Sequence, residues 1–330
     1  MNNLKKIGLT ALAGSLVATS VAYAADLSVS GSASMSVQNH SQKATGKNVK
    51  MGNSIYFKGS GETDSGLNVN LSFELDDGSN SGGSTASAAG VFDNHSVSVG
   101  NDTLGTLTVH GHGGSNAAAA LDTTAAGDLW DNTLGIGSVY SALSPTDTPR
   151  SATSGNDIAV YSLPTMVDDL AVSVSYTGEG ASHEASTAFG VVYTGVEGLS
   201  LSYGQGESKG TINTDADQEI IKISYAVGSF TLGVSNNDYD HTTATSDQEV
   251  RSYNVAYTVS DSLSVSYGIE DIAREGAASP SDIEVSGYKA TYTAGGMTVA
   301  AKKVKADNVD YTDTGSNDND MWKLSLSFAF

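Results

Sequence analysis

The stretch that decides the fold runs from Asp26 to Val37 and reads D-L-S-V-S-G-S-A-S-M-S-V. Every odd-numbered position after Asp26 is apolar or small, and every even-numbered position from Ser28 to Ser36 is serine. Successive side chains of a strand point to opposite sides of a sheet, so this alternation predicts a β-strand with one polar and one apolar face. Such a strand separates water from an apolar environment.

The same alternation recurs along the whole chain and predicts sixteen strands. The clear copies that follow the first are 66–76, 170–176, 199–203, 230–234, 263–269 and 322–330. Weaker copies are 52–63, 94–101, 104–112, 154–163, 185–195, 218–227, 249–259, 283–293 and 296–305.

The connections between these segments alternate between short and long. The short ones carry Gly, Asp, Asn and Pro, which tight turns require. The long ones include 77–93, 113–153 and 306–318. An even strand number with short turns on one side and long loops on the other is typical of outer-membrane barrels. We therefore predict an all-β, transmembrane, antiparallel, sixteen-stranded up-and-down barrel.

Aromatic residues separate a membrane barrel from a soluble β-sandwich or propeller. Many fall near the strand ends that lead to the short turns, on the apolar face, where a membrane barrel carries an aromatic girdle. They are Tyr193, Tyr225, Phe230, Tyr257, Tyr292, Phe328 and Phe330, while Tyr176 falls near the opposite rim. The opposite face carries Ser, Thr, Gly and Asn. A barrel of this size is too wide for such side chains to fill, so we expect an aqueous interior.

The N-terminus and the composition set the compartment and exclude several classes. Lys5 and Lys6, the apolar stretch 7–21 and Ala22-Tyr23-Ala24 form a secretory signal pattern. We predict a signal peptide over 1–24 and one barrel domain over 25–330; without Lys5 and Lys6 the net charge of −21 becomes −23. With 16 Lys+Arg against 37 Asp+Glu, nucleic acid is not an expected partner, and without Cys a disulfide scaffold is impossible.

Several motifs together resemble the Gram-negative general porins, and in particular the alphaproteobacterial type. One is Ile158-Ala159-Val160-Tyr161-Ser162-Leu163-Pro164-Thr165-Met166, followed by the alternating strand 170–176; the others are the start Ala25-Asp26-Leu27-Ser28 and the ending 324–330. The sequence departs from the family pattern at Met166, where an aromatic is usual, and by one extra residue before Leu170. The terminal Phe330 on an alternating strand resembles the outer-membrane assembly signal of this family.

The resemblance implies a homotrimeric channel whose third external loop folds into the pore. That loop, about 113–153, is the longest connection and contains Asp122, Asp128 and Asp131. We expect these three to form the acidic side of a constriction; a loop that simply stays in solvent is the alternative. Small residues on the outward face of the first two strands, Gly31, Ala33, Gly59 and Gly61, suggest the contact between barrels.

The opposing wall is expected to be basic. By parity with their apolar neighbours, the pore-facing lysines are Lys58, Lys222, Lys289, Lys302 and Lys323. Lys58 is the strongest candidate, because a basic residue on the second strand facing the third loop resembles the family pattern. The alternative is that these lysines only keep the interior hydrated.

These features predict an outer-membrane general diffusion porin that passes small hydrophilic solutes and ions, with a modest preference for cations. A substrate-specific channel is the alternative. No catalytic motif surrounds the histidines, so an enzyme is not expected, and no cofactor is expected. Ca²⁺ at the acidic external loops is a minor alternative, because oxygen-rich runs can hold it. The expected partners are outer-membrane lipid, lipopolysaccharide and two further copies of the chain.

Overall fold

A computed structural model describes residues 26–41, 47–76, 92–121, 125, 156–180, 184–209, 215–242, 247–274, 281–313, 315 and 318–330. The signal peptide predicted over 1–24 lies outside these residues. The strands are β1 Asp26–His40, β2 Lys47–Glu62, β3 Asn68–Asp76, β4 His95–Asn101, β5 Gly105–His112, β6 Ile158–Ser162, β7 Leu170–Thr177, β8 Ser186–Val196, β9 Leu199–Ser208, β10 Ala216–Val227, β11 Phe230–His241, β12 Gln248–Ser260, β13 Leu263–Arg274, β14 Ile283–Ala294, β15 Met297–Asp307 and β16 Asn319–Ala329.

The sixteen strands form one closed antiparallel barrel in which each strand pairs with its neighbours in sequence. The circle closes because β1 pairs with both β2 and β16. At this seam the Gly31 amide donates to the Phe330 carbonyl at 2.7 Å, and the Phe330 amide donates to the Gly31 carbonyl at 3.0 Å. Strand number, connectivity and closure confirm the fold predicted from alternation.

The turns at the short-connection end are tight, and their glycines have physical reasons. Gly198 adopts φ 75° in the β8–β9 turn, and a Cβ there would lie 2.2 Å from the Ala226 carbonyl oxygen. Asp169, which precedes Leu170 at the end of the β6–β7 turn, takes φ 60°. The register of the two strands joined by this turn pairs Tyr161 with Val174, so Tyr161 lies on the outward face.

The outward face is an apolar band between two rows of aromatic residues. The row near the short turns contains the predicted residues, with Phe230 packed on Tyr257 at a ring separation of 4.8 Å. The row nearer the long loops contains Tyr176, Phe189, Tyr203, Tyr253, Tyr267, Tyr288 and Trp322, all on outward positions of the register. Two aromatic rows mark the two interfaces of a bilayer. No helix among the described residues is long and apolar enough to cross a membrane.

Gly31 has a different role from the one predicted for it. A Cβ on Gly31 would lie 2.8 Å from the Phe330 ring and 2.9 Å from the Ser54 carbonyl oxygen, so its own chain covers this position. Gly59 and Gly61 do face open space, with nothing within 4 Å of an added Cβ. The small residue at position 31 therefore serves barrel closure, while the two glycines of β2 leave an open outer surface.

Candidate functional site: the barrel interior

The third long loop enters the barrel and lies against its inner wall. The Ala117 amide donates to Ser175 Oγ on β7 at 2.9 Å, and the Ala125 amide donates to Ser235 Oγ on β11 at 2.8 Å. A single 3₁₀ turn, Ala119–Leu121, lies between them, and the Asn116 side chain caps it by accepting a hydrogen bond from the Ala119 amide at 2.7 Å. The described part of the loop thus lies inside the barrel, as predicted, and it contacts the inner faces of β7 to β11.

Small residues on the wall make room for this loop. Ala117 and Ala118 are fully buried against Ala188 and Ile220. A Cβ on Gly190 would lie 2.4 Å from the Ala117 carbonyl oxygen, and one on Gly204 would lie 3.0 Å from the Ala118 Cα. The loop backbone therefore packs directly on strand backbone. The sequence shows these glycines at inward parity on adjacent strands, which is the signal that marks this part of the wall.

The predicted acidic residues of the constriction, Asp122, Asp128 and Asp131, lie outside the described residues. Their place in the pore stays a prediction. The described residues that flank Asp122, namely Leu121 and Ala125, both contact the inner wall, at Gly204 and Gly233 respectively.

The five predicted lysines all occupy inward positions of the register. Lys58 pairs across strands with Ser28 and Ser72, and it lines an open recess of about 420 Å³ with other serines of β3 and β4. Its Nζ lies 5.5 Å from the centre of the Tyr56 ring. Lys222 stands between Ser202 and Ser235 on the wall that carries the third loop.

The other three lysines form a continuous row on the interior wall. Lys289 pairs with Lys302, and Lys302 pairs with Lys323, on three adjacent strands. Directly opposed like charges are destabilising in a sheet, where Cβ atoms of such pairs lie about 5 Å apart. Lys289 and Lys302 also line a cavity of about 270 Å³ together with Ala125 of the third loop, so the row faces that loop. This arrangement is suited to holding an anionic group.

A buried carboxylate on the wall was not predicted from the sequence. Glu74 on β3 is 6% exposed and accepts hydrogen bonds from Ser54 Oγ at 2.5 Å and from the Asn94 side chain. It lies opposite Tyr56, two residues from Lys58 along β2. Parity alone places Glu74 inward, but its burial depends on Asn94, which reaches it from the end of a long loop.

The inner wall is not lined throughout by the predicted Ser, Thr, Gly and Asn, because part of it is apolar. Near the long-loop end of β12 to β16, a second loop folds inward as the 3₁₀ turn Val309–Tyr311. It joins a dry cluster on the inner wall in which every residue is at most 3% exposed: Val250, Ile272, Ile283, Val285, Val304, Ala306, Val309, Tyr311 and Met321. Gln248 Nε2 donates to the Tyr311 hydroxyl at 3.2 Å. This apolar plug narrows one side of the mouth.

Much of the negative charge lies on the outside of the barrel and not in its interior. A belt of carboxylates follows the outward face at the long-loop ends of β9 to β16, where opposed positions include Asp217 with Glu207 and Asp271 with Glu284. The others in the belt are Glu219, Asp238, Asp240, Glu249, Asp307 and Asp320. Lysines at mid-membrane on that face would cost about 2–4 kcal/mol, which agrees with the inward position of the predicted five.

Two features define the class of protein. The barrel carries an apolar outer band bounded by aromatic rows, which only a membrane makes favourable. Its interior is lined by polar and charged residues and crossed by an anchored loop. A closed barrel of sixteen strands with this lining is a transmembrane channel.

The chain belongs to the Gram-negative porin family, which matches residues 8–281. It is therefore an outer-membrane porin. A search of curated protein sequences gives no match.

Solved structures share the fold at low sequence identity. The OmpF of Salmonella typhi, solved in complex with daunomycin, is 13% identical with a TM-score of 0.70, covering 92% of this chain and 97% of that one. An anion-selective porin from Comamonas acidovorans is 13% identical with a TM-score of 0.67, covering 93% and 100%. A mutant of the Rh. blastica porin is 16% identical with a TM-score of 0.63, covering 92% and 100%.

Proposed function

We propose that this porin is a general diffusion channel for small hydrophilic solutes and ions, with the third loop as its size filter. The observation that carries the proposal is the anchoring of Ala117 and Ala125 to the inner wall, which holds part of the loop inside the barrel. Passage by size and charge needs no chemistry and no cofactor. We infer no catalytic role for the chain.

Conductance tests this function. Purified protein in a planar bilayer should give discrete, ohmic conductance steps, and proteoliposomes should swell in sugars at rates that fall with sugar size. A plugged or adhesive barrel would give neither signal. The Gly190→Val variant tests whether the third loop is the size filter, because the new side chain would displace Ala117 from the wall.

The proposed modest preference for cations depends on Asp122, Asp128 and Asp131 in the third loop facing the interior lysines. The acidic composition supports it, with 37 Asp+Glu against 16 Lys+Arg. The lysine row opposes it, and the outward carboxylate belt does not support it because those carboxylates lie outside the pore. Reversal potentials in a KCl gradient measure the balance, and clear anion selectivity would refute the preference.

A substrate-specific channel is the second candidate, and the lysine row is the observation that favours it. Three adjacent lysines, of which Lys289 and Lys302 line a 270 Å³ cavity, fit a small phosphate- or carboxylate-bearing solute. Phosphate or a dicarboxylate should then block the ion current in a saturable way. Block that scales linearly with concentration, or none at all, would leave only the general channel.

We also propose a homotrimer that uses the outer surface of the first strands. Strands β3 to β7 are 5–9 residues long, while β8 to β16 are 10–13, and Gly59 and Gly61 leave the β2 surface flat. The short strands β3 to β7 and the flat surface of the longer strand β2 suit close packing between barrels. Native mass spectrometry after mild extraction should show three chains, and a monomer would contradict the proposal.

Ca²⁺ binding at the acidic external loops stays a minor alternative. A calcium titration followed by thermal unfolding, with Mg²⁺ as the control, would reveal it as a calcium-specific rise in the unfolding temperature.

A further inference from the structure

Lys303 lies on the membrane-facing side of the barrel. Lys303 on β15 is exposed and outward, directly between Tyr288 of β14 and Trp322 of β16. Tyr267 of β13 continues the same row, its ring 4.6 Å from that of Tyr288. Lys303 therefore stands at the height of the aromatic row nearer the long loops, which marks the external interface of the bilayer.

Lys303 differs from the cations at the long-loop ends of the strands, because no carboxylate contacts it among the described residues. Lys209 pairs with Glu207 at 3.1 Å, Arg251 with Glu249 at 2.6 Å, and Lys305 with Asp307 at 2.6 Å. The outward neighbours of Lys303 across the sheet are aromatic. Its ammonium group is thus left to the headgroup layer of the membrane.

An apolar groove of about 580 Å³ opens directly below this lysine. The next outward row toward the short turns has two alanines as its floor, Ala290 opposite Ala301, with Val265 and Leu324 beside them. The rings of Tyr288 and Trp322 stand over the upper edge of the groove. The cation above and the apolar groove below match a lipid whose headgroup faces the long loops.

We propose that Lys303 and this groove form a binding site for one lipid A phosphate of lipopolysaccharide, with an acyl chain lying along Ala290 and Ala301. The relative positions of the lysine and the groove indicate which membrane leaflet supplies the lipid. The phosphate contact lies toward the long loops and the acyl groove toward the short turns, so the lipid belongs to the external leaflet, which lipopolysaccharide fills. The proposal rests on the outer-membrane location of the chain and is independent of its solute preference.

Native mass spectrometry of the detergent-solubilised protein with added lipid A tests the site. Lys303→Gln should weaken lipid A binding about ten-fold, because one charge-assisted hydrogen bond is lost. Lys305→Gln is the matched control. It removes the same charge two residues away, from a lysine that is already paired with Asp307. Lys303→Arg should restore the binding.

Equal binding by wild type and Lys303→Gln, or an equal loss in Lys305→Gln, would overturn the proposal. So would dephosphorylated lipid A that binds as well as lipid A, because the phosphate would then be irrelevant. Equal competition by phosphatidylglycerol would rule out lipopolysaccharide as the specific source. Planar-bilayer conductance of each variant is measured in parallel and should be unchanged, so a failure of the channel function is seen separately.

Discussion

The smallest decisive feature is the contact between Gly31 and Phe330. Their backbones exchange two hydrogen bonds at the closing seam, and the Phe330 ring covers the position where a side chain at residue 31 would lie. The sequence alone places Gly31 correctly on the outward face, because the alternation of side chains depends only on neighbouring residues of the same strand. It does not show what covers that glycine, because the covering residue is some 300 positions away in the chain.

A side chain at position 31 should weaken the seam. We expect Gly31→Leu to destabilise the barrel by about 1–3 kcal/mol, because the new atoms would overlap the Phe330 ring and the Ser54 carbonyl oxygen. The folded band on unheated SDS gels should convert at a lower temperature. Gly178→Leu, in the loop after β7 where the added Cβ meets nothing within 4 Å, is the control and should convert like wild type.

Phe330 should also matter for assembly. Deleting it removes both hydrogen bonds to Gly31 and the ring that resembles the assembly signal. We expect less folded barrel in the outer membrane and more chain in the periplasm, measured by fractionation. Full membrane assembly of the truncated chain would contradict the assigned role.

The interior lysines should control charge selectivity. Lys323→Glu breaks the row formed with Lys302 and Lys289, so the reversal potential in a KCl gradient should move toward stronger cation preference. Lys305→Glu makes the same charge change on the outward face and should leave the reversal potential unchanged. Equal shifts in both variants would mean that net charge, and not the row, sets selectivity.

At the level of elements, two loops enter the barrel within the described part of the chain, and only one of them is recognisable from the sequence. The third loop is marked by its length and by the wall glycines that accept it. The turn Val309–Tyr311 has no such signal, because its burial depends on apolar inward residues of five strands that only the closed barrel brings together. Alternation predicts which face these residues occupy, but not that a loop will cover them.

Displacing the apolar plug should widen the mouth. Val309 is fully buried, so Val309→Asp would place an unpaired charge in a dry cluster and expel the turn. We expect higher single-channel conductance and faster proteolysis between β15 and β16. Asp313→Asn, at an exposed position on the same loop, should change neither.

For the whole molecule, the plug makes the channel asymmetric. The plug occupies the side of β12 to β16 near the mouth, while the recess around Lys58 on β1 to β4 is open. Solutes should therefore run along the serine-rich wall of the first strands. This wall was recognisable from the sequence because its serines recur with period 2.

The lack of Cys makes this path testable without background labelling. Ser28→Cys and Ser72→Cys on the open wall should react with a charged methanethiosulfonate reagent and reduce the conductance. Ser252→Cys, at a position that is fully buried, should not react. Equal rates at all three positions would show that the interior is evenly open.

The pairing of β1 with β16 also has a consequence for folding. The two strands are about 290 residues apart, so their contact carries the largest loop-closure cost of any pair in the sheet, and it is expected to form last. Until then both strands present unpaired edges to lipid, where each unsatisfied backbone group is costly. A chain that lacks β16 cannot remove those edges. The barrel can therefore close only when β16 is present, and a chain without it cannot form a conducting channel.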